Sequence, residues 1–72
     1  MAEILDEDVQ LRAQQALTES PVYALRFIRV EQMGQMLLLS GVVSSFYHKQ
    51  LAQEVVRTVA EGCEVVNTVR VR

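Results

Sequence analysis

Disulfide chemistry is absent from this sequence. Cys63 is the only cysteine, so no internal bridge can staple the fold. Histidine is equally scarce, and His48 with Cys63 falls short of the three or four protein ligands a metal site usually takes. Tryptophan is missing, proline occurs once and glycine three times, which excludes a collagen-like or low-complexity chain. No uncharged apolar run, Met36–Leu39 included, exceeds four residues, against the roughly 20 that a membrane-spanning helix needs. What is present is a folding composition: half of the 72 residues are apolar, enough for one small domain and too few for a catalytic cleft between domains.

The net charge of −2 hides an asymmetry. Glu3, Asp6, Glu7 and Asp8 put four acids and no base in the first eight residues, while the rest of the chain is weakly basic. A nucleic-acid binder would show a clustered Lys/Arg stripe and a high isoelectric point, so no nucleic-acid partner is expected. The acids suit a helix start, where they meet the positive end of the helix dipole; an acid-dependent contact is the alternative. Residues 1–6 read as a flexible acidic N-terminus. No basic stretch followed by an apolar core marks a signal peptide. A complete chain would then be expected in the cytoplasm, whereas the compartment of a longer parent chain is not legible.

Five elements follow in order. Asp6–Glu19 reads as a helix with Asp6 as N-cap, because Val9, Ala13, Ala16 and Leu17 line one face. Ser20-Pro21 ends it. Leu25–Glu31 reads as a strand, Gln32–Gln35 as a turn that uses the conformational freedom of Gly34, and Met36–Val43 as a second strand. That second strand is apolar on both faces up to Ser40 and Gly41, which places it in the middle of the sheet. Ser44 and Ser45 cap a helix over Phe46–Glu61, with Leu51, Ala52, Val55, Val56, Val59 and Ala60 as its inner stripe. Arg57 and Glu61 stand four apart on its outer face, and Gly62 is the expected C-cap. Glu64–Arg72 is the third strand. The fold class is therefore α/β in the α+β sense: an α-β-β-α-β order, with a three-stranded sheet and two helices packed on one face. The crossover through the second helix should be right-handed if the strands it joins are parallel.

At these residues the chain resembles the BON domain family. The hairpin glycine Gly34, the strand ending Leu39-Ser40-Gly41 followed by Val43, the small Ala52 on the second helix, and Gly62-Cys63 before Val66-Asn67 fall in the family's order. The first helix and its proline, Leu17 through Pro21, also match, so the likeness covers nearly the whole chain from about residue 7. Met33 stands where the family often has aspartate or asparagine, and Cys63 where it often has valine. The resemblance implies a module without catalysis or cofactors, found in bacterial envelope proteins and associated with phospholipid membranes and with assemblies such as lipoproteins, secretins and channels.

Candidate contact residues are few. Phe46 and Tyr47 beside Lys49 suit a lipid headgroup boundary, where aromatics and cations gather; the alternative is that Phe46 staples the helix start to the core. Arg26, Arg70 and Arg72 add positive charge on the sheet, or serve only solubility. Gly41 is expected to allow a bulge or a close helix approach. Ser40 is expected to hydrogen-bond a neighbouring backbone group, since no base adjoins it to make a nucleophile. Asn67 has apolar neighbours on its strand face, so its amide should bond backbone groups near the Gly62 turn. Cys63 reads as a small hydrophobe. With helices on one side only, one of Leu37 and Leu38 must face outward in the central strand, which points to self-association or a partner.

Two functional readings result. The first is a non-enzymatic module docking on an anionic phospholipid surface or an envelope protein. The second is a protein–protein interaction or oligomerisation module, acting through the open sheet face and within a longer chain or as a homo-oligomer.

Overall fold

The computed structural model describes residues 2–60 and 62–72, with side chains from residue 9 onward. Helix α1 spans Ala2–Thr18 and a short 3-10 helix spans Tyr23–Phe27. Strands β1 (Arg29–Met33), β2 (Met36–Ser40) and β3 (Val42–Val43) precede helix α2 (Phe46–Arg57), and β4 (Glu64–Asn67) and β5 (Arg70–Val71) end the chain. The main sheet has the order β1-β2-β4, antiparallel then parallel, so β2 is central as its two apolar faces required. The α+β class and the α-β-β-α-β order both hold.

Helix α1 begins four residues ahead of the expected start, so Asp6 lies within the helix and is not its N-cap. The acidic side chains Glu3, Asp6, Glu7 and Asp8 lie outside the described side chains. The inner face of α1 is Val9, Ala13 and Leu17, all buried. Ala52 and Val56 of α2 are buried against the same core, which takes in Leu37 and Leu39 from β2 and Val30 from β1. Both helices therefore cover one face of the sheet.

Leu25–Glu31 is not a continuous strand. Buried Ser20 accepts a hydrogen bond from Val22 N–H on its Oγ, at 3.0 Å, and Pro21 fixes the turn between them. The chain then winds through two i to i+3 bonds, Leu25 N–H to Val22 O and Ile28 N–H to Leu25 O. Leu25 and Ile28 are buried while Phe27 stays exposed. The alternation of apolar residues there is that of a tight turn, and β1 begins only at Arg29.

Gly34 has φ +62 and no non-glycine residue among those described has positive φ, which is the pattern of a type II′ hairpin turn over Gly34-Gln35. The two long strands expected on either side of α2 both break at one level. Gly41 has φ +141, and a Cβ there would lie 3.4 Å from Ile28 Cα. The close approach is thus to the chain entering β1, not to a helix. Opposite this point, Leu39 O accepts from both Thr68 N–H, at 2.9 Å, and Thr68 Oγ, at 2.6 Å. Beyond the break, β3 and β5 form a separate short parallel pair, with Val42 opposite Arg70 and Val43 opposite Val71.

Ser45 is the N-cap of α2, its Oγ accepting from His48 N–H at 3.2 Å. The helix ends at Arg57 with Thr58 as cap, so Gly62 is not the C-cap. Gly62, with φ +75, instead lies in the turn closed by Cys63 N–H donating to Ala60 O at 3.0 Å. Glu61, expected to pair with Arg57, lies outside the described residues. Arg57 stands 3.9 Å from Glu54, both exposed, a contact that contributes little.

The outer edge of β1 is covered near its start by side chains of α1. Gln14 donates to Ile28 O and accepts from Val30 N–H, both at 2.9 Å, and Gln10 donates to Val30 O at 3.0 Å. These amides satisfy backbone groups that an edge strand otherwise leaves unpaired.

Candidate docking surface

The 3-10 helix turns Tyr23 and Phe27 to the same side, one turn apart. Their rings meet edge to face, centroids 5.2 Å apart, and both remain about two-thirds exposed. Arg26 is held beside them: its Nε donates to Ser20 O at 2.8 Å, and its guanidinium sits 5.6 Å from the centre of the Tyr23 ring. Arg26 thus belongs to this turn and not to the sheet.

A groove of about 250 Å³ joins the turn to β3 and to the C-terminus. Tyr23, Phe27, Val42, Ser44 and Arg72 are among the residues lining it, and among the described residues no acidic one does so. Val42 is exposed, and its register partner Arg70 puts a second exposed arginine at the groove's margin. Ser44 leads into the first turn of α2, where Phe46 and Tyr47 are 63% and 67% exposed. Phe46 therefore does not staple the helix to the core. Lys49 follows half-buried, its carbonyl accepting from Asn67 Nδ2 at 2.9 Å.

A second groove, about 260 Å³, runs between the end of α2 and β4 and is lined by Gln53, Arg57, Ala60, Cys63 and Val65. Neither groove reaches the roughly 300–1,000 Å³ of a small-molecule pocket. Among the described residues, no three His, Cys, Asp or Glu side chains converge as a metal site would require, and no helix is long and apolar enough to cross a membrane.

Of the residues singled out in the sequence, Arg26 and Arg70 come to the groove or its margin, and Phe46, Tyr47 and Lys49 occupy the adjoining turn of α2. Tyr23, Phe27 and Val42 were missed as contact residues. Their signal was Ser20-Pro21 followed by two aromatics four apart, which a strand reading hides. Asn67 was expected to bond backbone groups near the Gly62 turn, and its partners differ. Its Nδ2 donates to Lys49 O and to Gln53 Oε1, at 2.9 and 3.3 Å, and its Oδ1 accepts from Val69 N–H at 3.1 Å. It ties β4 to α2 and ends the strand, with no bond to the Gly62 turn. Ser40 ends β2, half-buried and opposite Arg29.

Leu38 is the central-strand residue that faces away from the helices. It lies between Glu31 and Val66 and is half-buried, while Leu37 and Leu39 are fully buried. Met33 and Met36 continue this uncovered face.

A search among curated proteins finds no match to the chain. The family model described as BON domain matches residues 6–72. That match spans nearly the whole α-β-β-α-β unit, including the Gly34 hairpin, the Gly41 break and Asn67, and the chain belongs to the BON domain family.

Proposed function

We propose that this BON domain is a non-catalytic module that docks on anionic phospholipid surfaces through the end of the molecule carrying Tyr23, Phe27, Val42, Phe46 and Tyr47. The observation that supports this reading is a groove lined by Tyr23, Phe27, Val42 and Arg72 with no acid among the described lining residues, Arg26 beside the Tyr23 ring, Arg70 opposite Val42, and the exposed Phe46 and Tyr47 following Ser44 in sequence. Burying about 100 Å² of one ring is worth about 2.5 kcal/mol at ~25 cal/mol per Å². Each arginine near an anionic surface adds about 1 kcal/mol. The rings therefore supply the larger share, and the cations select for anionic lipid. Tyrosine adds a polar tip suited to the headgroup level.

The test is an amide-shift titration with bicelles. Shifts confined to residues 23–27, 42–47 and 70–72, with anionic but not zwitterionic lipid, are expected. Unchanged spectra with both lipids, or shifts confined to Glu31, Leu38 and Val66, would sink the reading.

A second reading rests on the uncovered sheet face. Met33 is 59% exposed there, next to Met36, Leu38 and Val66. A face of this kind suits a protein partner, in an envelope assembly or in a longer chain. Leu38→Arg would abolish such an interaction and leave lipid docking intact.

A further inference from the structure

The two edges of the main sheet are treated differently. Gln10 and Gln14 occupy the edge of β1. On β4, Glu64 N–H donates inward to Gln35 O at 2.8 Å and Thr68 N–H to Leu39 O at 2.9 Å. Strand alternation therefore turns the N–H and C=O groups of Val65 and Asn67 outward, away from β2. Among the described residues nothing meets these four backbone groups. The edge is also short, because Val69 N–H folds back onto Asn67 Oδ1.

We propose that a second copy of this chain adds to this edge, β4 against β4, antiparallel about a twofold axis at Val66. This register sets Val65 opposite the second copy's Asn67, and each such pair exchanges two backbone hydrogen bonds, four in all. Val66 meets its own copy on the uncovered face, which extends the apolar row from Leu38 through Val66 into the second molecule. Carried past the end of β4, the same register brings Glu64 toward Thr68 and the Arg70 side of the second copy, twice by symmetry. Diagonal neighbours lie about 7–8 Å apart, within reach of long side chains. Glu64 and Arg70 are both exposed and available for this pairing. The hydrogen-bonding pattern, the apolar row and the charges are thus self-complementary, as an isologous twofold interface requires.

Sedimentation velocity from about 10 µM to about 1 mM tests the proposal over the range of a small, transient interface. A monomer–dimer equilibrium is expected. Val65→Pro removes an outward N–H that the β2 ladder does not use, and should weaken the dimer at least about tenfold with the amide spectrum otherwise native. Glu64→Lys should weaken it, and Glu64→Lys combined with Arg70→Glu should restore it, which keeps the test decisive if the proline variant fails to fold. A monomer throughout the range, or a dimer indifferent to the charge reversal, would overturn the proposal. Because no lipid is present, either outcome is independent of membrane docking.

Discussion

Gln14 stands to Val30 as a neighbouring strand would. Its side-chain oxygen accepts from Val30 N–H at 2.9 Å while its nitrogen donates to Ile28 O at the same distance, so one amide completes a backbone group of β1 and another of the residue just ahead of the strand. Gln14→Ala leaves both groups without their partner, and a loss of about 1–3 kcal/mol is expected. Urea denaturation measures it, and hydrogen exchange should show faster exchange at Val30. A loss below about 0.5 kcal/mol with Val30 still protected would show that the glutamine is dispensable.

Asn67 offers a sharper comparison. Asn67→Asp keeps the acceptor for Val69 N–H but turns a carboxylate toward Lys49 O and Gln53 Oε1, where two donated bonds had been. Asn67→Ala removes the bonds without adding charge. Both should destabilise by about 1–3 kcal/mol, with aspartate at least as harmful as alanine at neutral pH. Parallel thermal melts decide the order, and an aspartate variant more stable than the alanine one contradicts it.

The glycines at the hairpin and at the strand break should differ in what they tolerate. Gly41 has φ +141, a region essentially reserved for glycine, and a Cβ there also meets Ile28. Gly34 has φ +62 with open space around it. Gly41→Ala should cost about 2–3 kcal/mol and Gly34→Asn about 1–2 kcal/mol, since only at Gly41 is backbone strain joined by a close neighbour. At roughly 4–8 °C of melting temperature per kcal/mol for a domain of this size, calorimetry separates them easily.

The proposed membrane docking divides into two parts that salt can tell apart. Tyr23→Ser with Phe27→Ser removes two exposed rings and should reduce partitioning into anionic vesicles at every ionic strength, with little loss of stability. Arg26→Gln should weaken partitioning at low salt and matter progressively less as salt screens the charge. Vesicle sedimentation at two salt concentrations checks both. Equal salt sensitivity of the two variants would argue against the division.

Much of the fold is written in local periodicity. The stripe of α2, the Ser45 cap, the Gly34 turn and the central place of β2 follow from residues within a few positions of one another. The errors came where distant groups decide. Leu25 through Val30 alternates like a strand, yet buried Ser20 and Pro21 wind its first half into a 3-10 turn. The breaks at Gly41 and Thr68 depend on Ile28 and Leu39 lying across from them. Asn67 could be read as a structural amide, but its partners on α2 come from the packing of the crossover. The candidate docking surface was half legible for the same reason: Phe46, Tyr47 and the arginines stood out as residues, while Tyr23 and Phe27 come to the groove only through that unexpected turn.

The glutamine cover on β1 also limits how large an assembly can grow. A sheet with two open edges can take a neighbour on each side and propagate as a fibre. With Gln10 and Gln14 meeting Ile28 and Val30, the first part of β1 is closed to a neighbour, and a twofold pairing through β4 would occupy the other edge of the main sheet in both molecules. In the proposed pair the glutamines thus act against further growth along the main sheet, and removing them would open a second place for a strand to add.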